Sequence, residues 1–196
     1  EVFRNYNKAS GRELFNIPVD KKVILFISES IENERKGFDL FLKAIEILGV
    51  RNDYILVAVG SSDKNYNIGN LINIQGVHDE RLMALLYSSA DMCVIPSRED
   101  NLPNVMLESM ACGTPVIGFP VGGIKETIID GFNGLLCGER SAQSLADAIE
   151  RFLERDCFDT VAIRNDSVKK FALNVQANAY IDVYKSHHEK VAKGDN

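Results

Sequence analysis

The sequence lacks several features that would assign it to familiar functional classes. None of its apolar runs approaches the ~20 residues that a membrane-spanning helix needs. Its 196 residues carry 22 lysines and arginines against 28 aspartates and glutamates, so the net charge is −6. Proteins that bind nucleic acids non-specifically are basic, which this chain is not. These absences exclude a membrane span and a nucleic-acid footprint, and a chain of this length can bury one core without disulfides or metals.

Metal-binding and nucleophilic patterns are also absent. The four cysteines are far apart: Cys93, Cys112, Cys137 and Cys157. We interpret them as buried thiols, because no zinc-type pair exists. The sequence has no Asp-x-Asp pair, which argues against a carboxylate-held metal. A Cys-His or Ser-His-Asp site would have to use His78, and no G-x-S-x-G elbow supports catalysis of that kind. No G-x-G-x-x-G loop is present either, which argues against dinucleotide binding.

Strand-like and helix-like segments alternate along most of the chain. Short, apolar, β-rich runs predict six strands, at 23–27, 54–59, 71–74, 92–96, 115–118 and 134–137. Apolar spacing and caps predict helices at 37–48, 79–90, 104–111, 125–129, 141–153, 159–172 and 175–189. Residues 1–22 are predicted to be irregular. This alternation indicates an α/β fold, a Rossmann-like parallel sheet of about six strands with helices on both faces. Ligands bind such sheets at the carboxyl ends of the strands.

Candidate residues stand in the loops after the first and fourth strands, and the loop after the fourth is the richer of the two. Lys36 precedes a glycine at the start of a helix, where a cation and free amides favour an anion; taken alone, it is as readily interpreted as a solvated lysine on a charged loop. Asp100 stands in the later loop and Glu108 in the helix that Pro103 can begin. Glu108 interrupts an apolar stretch, where an unpaired carboxylate is costly. We interpret the two carboxylates as facing one cleft, spaced to hold vicinal hydroxyls on two rings; capping of local amides by Glu108 is the alternative.

Two glycine loops are weaker candidates. Gly76, after the third strand, permits a tight turn or the close approach of a ligand, and His78 beside it is interpreted as a loop or capping histidine. Gly122 and Gly123, after the fifth strand, offer an amide nest for phosphate or hydroxyls. Such turns also occur without ligands, so each loop alone leaves both interpretations open.

The richest stretch of the chain comprises VIPS at 94–97, DNLPN at 100–104 and LESMACGTPVI at 107–117. Further pieces are KG at 36–37, GV at 76–77, LYSSAD at 86–91, GGIKE at 122–126 and GFNG at 131–134. In their order and spacing, these segments resemble the C-terminal domain of glycosyltransferase family 4, which has the GT-B fold, over nearly the whole chain. The richest stretch is similar to the family signature P-S…E-x7-E-A-M-A-x-G-x-P-V-I.

The resemblance implies the donor-binding domain of a retaining glycosyltransferase that uses a UDP-, GDP- or ADP-sugar, with no cofactor and no obligatory metal. Glu108 would bind the ribose hydroxyls, Asp100 the donor sugar, and Lys36 the diphosphate as it leaves. Further donor contacts are expected at Gly76 and Val77 for the base, and at Asn101, Leu102, Pro103, Asn104, Gly122 and Gly123 for the sugar and phosphates.

Two positions depart from the family pattern. The family has Gly-Arg just after the first strand, and its arginine reaches the diphosphate, whereas this chain has Ser28 and Glu29 there. Arg35, beside Lys36, is the candidate to replace that arginine, and Ser28 is retained as a candidate donor contact. Asp100 takes the place of the family's first glutamate with a side chain one methylene shorter. These departures leave the donor sugar open, together with the base and the acceptor.

We divide the chain into an interdomain segment (1–22), a Rossmann-like donor-binding domain (23–172) and a C-terminal helix (173–196). The resemblance leads us to expect that this helix crosses to an acceptor-binding N-terminal domain of the same protein, leaving one apolar face uncovered here: Val175, Ala179, Tyr180, Val183 and Tyr184. The first residues are neither a start methionine nor a signal peptide, which suggests a piece of a longer protein. Alone, this piece is expected to bind nucleotide weakly and to transfer nothing.

The wider expectations are a cytoplasmic enzyme of polysaccharide biosynthesis, with membrane association through the N-terminal domain left open. Two alternatives also stay open. One is another GT-B enzyme, such as a sugar-nucleotide epimerase or a phosphorylase. The other is a non-catalytic Rossmann-like module that binds a nucleotide or a partner, although a pure interaction module would not need Asp100 and Glu108.

Overall fold

The computed structural model describes residues 2–49, 51–64, 66, 68, 70–154 and 158–192, with side chains up to 187. Its strands are β1 (Lys22–Ser30), β2 (Tyr54–Ser61), β3 (Leu71–Ile74), β4 (Met92–Ile95), β5 (Val116–Gly118) and β6 (Gly134–Leu136). Its helices are α1 (Lys8–Leu14), α2 (Phe38–Leu48), α3 (Glu80–Ser89), α4 (Asn104–Ala111), α5 (Ile124–Thr127), α6 (Ala142–Leu153), α7 (Thr160–Phe171) and α8 (Leu173–Ala192). A 3₁₀ turn at Glu34–Lys36 precedes α2.

The six strands form one parallel sheet in the order β3-β2-β1-β4-β5-β6. The chain therefore runs outward from β1 through β2 to β3, crosses back to β4 on the other side of β1, and runs outward again through β5 to β6. Connections on the two sides of β1 and β4 leave the sheet on opposite faces, which opens a crevice at the carboxyl ends of these two strands. The predicted Rossmann-like α/β fold is confirmed, and this crevice is where a ligand is expected.

Helices cover both faces of the sheet. Because parallel crossovers are right-handed, α2 lies on one face and α3 and α4, which lead in the other direction, lie on the opposite face. Helix α6 packs against α2, while α1 packs against α3 and α7 packs against α4. The strands between these layers are continuous apolar runs, as in VILFI of β1 and YILVAV of β2, because neither face of the sheet meets water.

Several boundaries differ from the sequence prediction, and three of these differences concern predicted segments or site residues. Residues 1–22 are not wholly irregular, because α1 forms there; the Asn7 side chain accepts from the Ser10 N–H at 3.0 Å and begins the helix. Strand β1 ends at Ser30 rather than at residue 27, because β2 continues beside it past a register shift. Ser28 therefore lies within the strand and not in a loop. Pro103 is the N-cap of α4 and not its first residue, although the predicted bounds of α4 are correct.

Helix α8 follows α7 directly and packs against it. The five side chains predicted for its uncovered apolar face are all exposed, and Tyr180 and Tyr184 reach 68% and 71% exposure. The division of the chain into three parts stays a prediction, since exposure does not identify what covers this face. No helix in the described part of the chain combines the length and the apolar character that crossing a membrane requires.

Candidate functional site

Lys36 and Asp100 meet where β1 and β4 diverge. Lys36 ends the 3₁₀ turn after β1, and Asp100 lies in the loop after β4. The Lys36 Nζ donates to Oδ2 of Asp100 at 2.7 Å, and Ser97 Oγ donates to the same oxygen at 3.4 Å. Oδ1 has no partner among the described residues, so it can accept a hydrogen bond from a ligand. The structure thus brings together two predicted site residues that are 64 positions apart.

Arg35 adds a second cation at this point. Its Nη1 lies 3.7 Å from Oδ2 of Asp100 and donates to the Glu99 carbonyl at 3.1 Å. The side chain is half exposed, so the guanidinium can also reach a ligand in the crevice. Glu29, which stands where the resembled family has its arginine, is an exposed residue of β1. The place predicted for Arg35 is therefore compatible with a contact to an anion.

Arg98, which sequence reasoning did not single out, ties the two loops together. Its guanidinium donates to both carboxylate oxygens of Asp39, at 2.8 and 2.7 Å, and also to the Glu34 carbonyl. Its backbone N–H donates to the Arg35 carbonyl at 2.8 Å. This fork lowers the pKa of Asp39 through its hydrogen bonds and charge. The loop that carries Asp100 is thereby fixed against the first turn of α2.

The glycine loop after β5 packs on the same segment. Gly122 has φ +46°, and a β-carbon there would lie 1.8 Å from the Asp100 carbonyl oxygen. The Gly123 N–H donates to the Asn101 carbonyl at 2.5 Å, and a β-carbon on Gly123 would lie 3.0 Å from Cδ1 of Leu102. The Gly123 amide is therefore already bonded within the protein, so the predicted amide nest would depend on Gly122 and stays a prediction. The two glycines let the loop approach the Asp100 backbone closely.

The amino end of α4 points into this region. Pro103 is buried at the N-cap and supplies no side-chain hydrogen bond to the helix, which begins at Asn104. The amides of the first turn therefore have no side-chain cap. Since the amino end of a helix carries partial positive charge, it favours an anion placed next to it. Contact of the backbone from Asn101 to Asn104 with a sugar and phosphates stays a prediction.

Glu108 stands further along α4 and is half-buried. The Tyr87 hydroxyl donates to its Oε2 at 2.8 Å. Burial raises the pKa of Glu108, and the Tyr87 hydrogen bond partly offsets this. The described contacts include no backbone amide that Glu108 caps, so they do not support the alternative interpretation. Oε1 has no described partner, and it reaches solvent, because every fully buried side-chain polar atom in the described part has one.

A cavity of about 280 Å³ opens beside Glu108. Its walls come from the leading segment, α4 and the junction of α7 with α8. Apart from Glu108 they are mostly apolar: Val2, Phe3, Leu107, Ala111, Ser167, Val168, Phe171, Ala172 and Leu173. A carboxylate at the edge of an apolar cavity can accept hydroxyl hydrogen bonds from a ligand that also buries apolar surface there.

The remaining candidates are not brought into contact with these groups by any described interaction. Gly76 is exposed, and a β-carbon there would meet only the His78 ring, at 3.6 Å, so the space above it is open. Val77 beside it is partly buried against the core. Ser28 is buried, and its hydroxyl donates to the Ser30 carbonyl at 2.7 Å, so it does not present that hydroxyl to the crevice.

The described cysteines are buried thiols rather than thiolates. Cys93, Cys112 and Cys137 are buried as predicted, and burial raises the pKa of each to about 12, so none is a thiolate at neutral pH. Cys157 lies outside the described residues. Within the described ranges, no three histidine, cysteine, aspartate or glutamate side chains gather as a metal site would require.

Comparison with known sequences identifies relatives over nearly the whole chain. The model of the family described as Glycosyl transferases group 1 matches residues 21–155. The D-inositol 3-phosphate glycosyltransferase of Paenarthrobacter aurescens is 30% identical over 191 residues, covering 90% of this chain and 45% of that protein. Its counterpart from Streptosporangium roseum is 27% identical over 217 residues, covering 97% and 49%. The chain thus spans about half the length of the curated relatives it matches.

Solved structures agree. Sucrose-phosphate synthase from Thermosynechococcus elongatus matches with a TM-score of 0.77 at 28% identity, covering 96% of this chain and 50% of that one. The Anabaena protein HepE, solved in complex with UDP, matches with a TM-score of 0.78 at 15% identity over 94% of this chain and 54% of its own, which shows likeness of fold alone. These likenesses agree with the GT-B fold that the sequence resemblance implies. With the family model covering most of its length, the chain belongs to the Glycosyl transferases group 1 family.

Proposed function

We propose that this chain is the donor-binding domain of a retaining enzyme of glycosyltransferase family 4, which transfers a sugar from a nucleotide-diphosphate sugar to an acceptor. The observation that carries the proposal is the meeting of Lys36 with Asp100 at the divergence of β1 and β4. In a sheet of this strand order, that crevice is where ligands bind. A cation and a carboxylate there suit a ligand that carries both phosphates and hydroxyls.

The positive groups suit a diphosphate leaving group. When the bond between the anomeric carbon and the diphosphate oxygen breaks, its electron pair stays on the nucleoside diphosphate as added negative charge. Lys36, Arg35 and the uncapped amino end of α4 lie around the Asp100 loop. Groups fixed in advance stabilise charge that develops during a reaction, because they need no reorganisation. We assign Lys36 the main part of this role and Arg35 a supporting part.

The two carboxylates suit the hydroxyl groups at either side of the diphosphate. Oδ1 of Asp100 is open to accept from the donor sugar, while Oδ2 is held by Lys36. Oε1 of Glu108 is open to accept from the ribose, while Oε2 is held by Tyr87. A fold neighbour, HepE, was solved with UDP, which supports a nucleotide rather than another anion. The donor is accordingly a UDP-, GDP- or ADP-sugar, with backbone at Gly76 and Val77 facing the base.

Acceptor binding and the transfer itself belong to the whole protein, of which this chain corresponds to about half the length in its relatives. We propose an N-terminal domain that binds the acceptor and closes the crevice, so that the present chain alone binds donor weakly and transfers nothing. Use of no metal, a cytoplasmic location and a part in polysaccharide biosynthesis stay predictions.

Titration calorimetry with UDP, GDP and ADP and their glucose conjugates tests the proposal. We expect the nucleotides of one of the three bases to bind. Glu108→Gln should weaken that binding by about tenfold or more, since hydrogen bonds to charged groups contribute about 1.5–3 kcal/mol. Glu46→Gln, at an exposed position on α2 away from the crevice, makes the same chemical change and should bind as the unaltered chain does. A folded chain that binds none of the nucleotides, or Glu108→Gln binding undiminished, would refute it.

A further inference from the structure

Tyr87 is a wholly buried tyrosine whose hydroxyl ends at the candidate site. It lies on α3, shows no exposed surface, and donates to Oε2 of Glu108 at 2.8 Å. Residues 86–91 contribute to the sequence resemblance, but no function has so far been attached to the tyrosine within them. A buried phenol needs a hydrogen-bond partner, and here the partner is a carboxylate at the edge of the apolar cavity beside α4.

The surroundings of Tyr87 hold its ring in one place. The edge of the ring packs against Phe3, with centroids 6.2 Å apart and planes at 65°. The Thr114 hydroxyl donates to the Tyr87 carbonyl at 2.7 Å and fixes the backbone at this end of α3. A tyrosine has two side-chain torsions, so a packed ring places its hydroxyl with little freedom. The hydroxyl is therefore a fixed point from which Glu108 can be oriented.

We propose that Tyr87 is the positioning residue of the donor site: its hydroxyl holds Oε2 of Glu108 so that Oε1 turns toward the ribose hydroxyls of the nucleotide. This rests on the proposed function, in which Glu108 binds the ribose. Without the tyrosine, the glutamate has no described group that fixes its carboxylate, since its remaining oxygen has no protein partner. Ligand binding would then have to order a long, flexible side chain, and this entropy cost would weaken the binding.

The same hydrogen bond favours the ionised form of Glu108. The ionisable groups around it belong to α3, β4, the end of α4 and α7: Tyr87, Glu80, Cys93, Cys112 and Arg164. Burial and the charge of Glu80 raise the pKa of Glu108, and the Tyr87 hydroxyl lowers it. The two thiols, with pKa values near 12, stay neutral, and Arg164 donates to the last carbonyl of α4. Removing the hydroxyl therefore lets Glu108 take up a proton at higher pH.

Tyr87→Phe deletes only the hydroxyl, and Tyr54→Phe is its matched control. Tyr54 is equally buried, but its hydroxyl lies 3.5 Å from the Gly49 carbonyl, away from Glu108. Binding of the nucleoside diphosphate that the unaltered chain prefers, and of its 2′-deoxy analogue, is measured from pH 5 to 8. We expect Tyr87→Phe to weaken the ribonucleotide about tenfold, to weaken the deoxy analogue less, and to move the acid loss of binding to higher pH. Carbon-13 NMR of the Glu108 carboxylate should show its pKa raised.

Unchanged affinity and pH dependence in Tyr87→Phe would overturn the proposal while leaving nucleotide binding by Glu108 intact. If Tyr87→Phe lost the same affinity for the ribonucleotide and the deoxy analogue, with the Glu108 pKa unchanged, the tyrosine would only support the core. The same conclusion would follow if Tyr87→Phe unfolded while Tyr54→Phe stayed folded. A chain that binds no nucleotide, with Tyr87→Phe raising the pKa of Glu108 all the same, would instead place the failure in the proposed function.

Discussion

The backbone of Gly37 lies directly against that of Pro96: a β-carbon on Gly37 would stand 1.9 Å from the Pro96 carbonyl oxygen. Gly37 also has φ +72°, in the left-handed region. It follows Lys36 at the end of the 3₁₀ turn, and Pro96 begins the loop that leads to Asp100. This contact therefore sets how closely the cation and the carboxylate can approach each other.

Gly37→Ala should destabilise the fold and weaken nucleotide binding together. The left-handed conformation costs about 1 kcal/mol for alanine, and the clash with Pro96 adds to it, for a total of about 3 kcal/mol. Gly49→Ala is the control for backbone strain without a clash, because Gly49 has φ +74° and ψ −176° and no atom within 4 Å of a β-carbon. It should lose stability through backbone strain alone, about 1–3 kcal/mol, and it should bind nucleotide normally. Urea unfolding measures the stability of both variants and calorimetry measures their binding; normal nucleotide binding by folded Gly37→Ala would show that the contact with Pro96 is easily relieved.

Asp100→Asn should change the binding of the diphosphate and the binding of the sugar in opposite directions. It frees Lys36 from its carboxylate partner and removes a negative charge beside the phosphates, so binding of the free nucleoside diphosphate should tighten, by on the order of 1 kcal/mol or about fivefold. The preference for the sugar nucleotide over the diphosphate should fall, because an amide accepts hydroxyls more weakly. Asp20→Asn, an exposed position, changes the net charge equally and serves as the control. Calorimetry that shows weaker diphosphate binding would contradict this division of roles.

Glu108→Gln should stabilise the fold at neutral pH while it impairs binding. The pKa of Glu108 is raised above its ordinary value of 4.5 in the folded chain, so the folded state favours the protonated form. The stability that this group contributes is present below pH 4.5 and is lost as pH rises through the folded pKa. Glutamine stays neutral throughout, so its advantage should be greatest at neutral pH and smallest in acid. Urea unfolding between pH 4 and 8 measures the difference in free energy of unfolding between the variant and the unaltered chain. A difference that grows as the pH falls would be evidence against the raised pKa.

The sheet could be predicted from the sequence because its strands are buried on both faces, and such strands appear as unbroken apolar runs. Helix starts were also predictable where a cap is local: the Asp79 carboxylate accepts from the N–H groups of Arg81 and Leu82. Helix α1 was not predicted, because Gly11 within it lowers helix propensity. That glycine is explained only by packing, since a β-carbon there would lie 2.8 Å from the Leu85 carbonyl oxygen on α3.

The site was predictable only in part for a similar reason. Parallel strands place the loops of Lys36 and Asp100 at one edge, so their proximity could be predicted from order alone. The roles of Tyr87 and Arg98 depend on partners 21 and 59 residues away, Glu108 and Asp39, and no local pattern marks a hydroxyl or guanidinium as having such a partner. Side chains that orient a site are found from packing, whereas side chains at strand ends can be found from the sequence.

Arg12, on α1, should be among the most sensitive polar positions in the fold. It is 5% exposed, pairs with Asp91 at 2.7 Å and donates to backbone carbonyls of the segment that leads into β1. Asp91 in turn accepts from the Val23 N–H at 2.6 Å, so the pair joins the starts of β1 and β4. Arg12→Ala leaves a nearly buried carboxylate without its main partner, which costs about 3 kcal/mol or more.

Lys8→Ala is the matched control for that loss, because Lys8 pairs with the same carboxylate at 2.5 Å but is 46% exposed. An exposed pair contributes about 1 kcal/mol at most, so this variant should unfold nearly as the unaltered chain does. Lys8 and Arg12 lie near the amino ends of the strands, away from the crevice at their carboxyl ends. Nucleotide affinity, measured under conditions in which each variant is folded, should therefore not change in either. Equal unfolding free energies for the two variants would mean that water replaces the Arg12 contacts, and that α1 covers the sheet without fixing the starts of its strands.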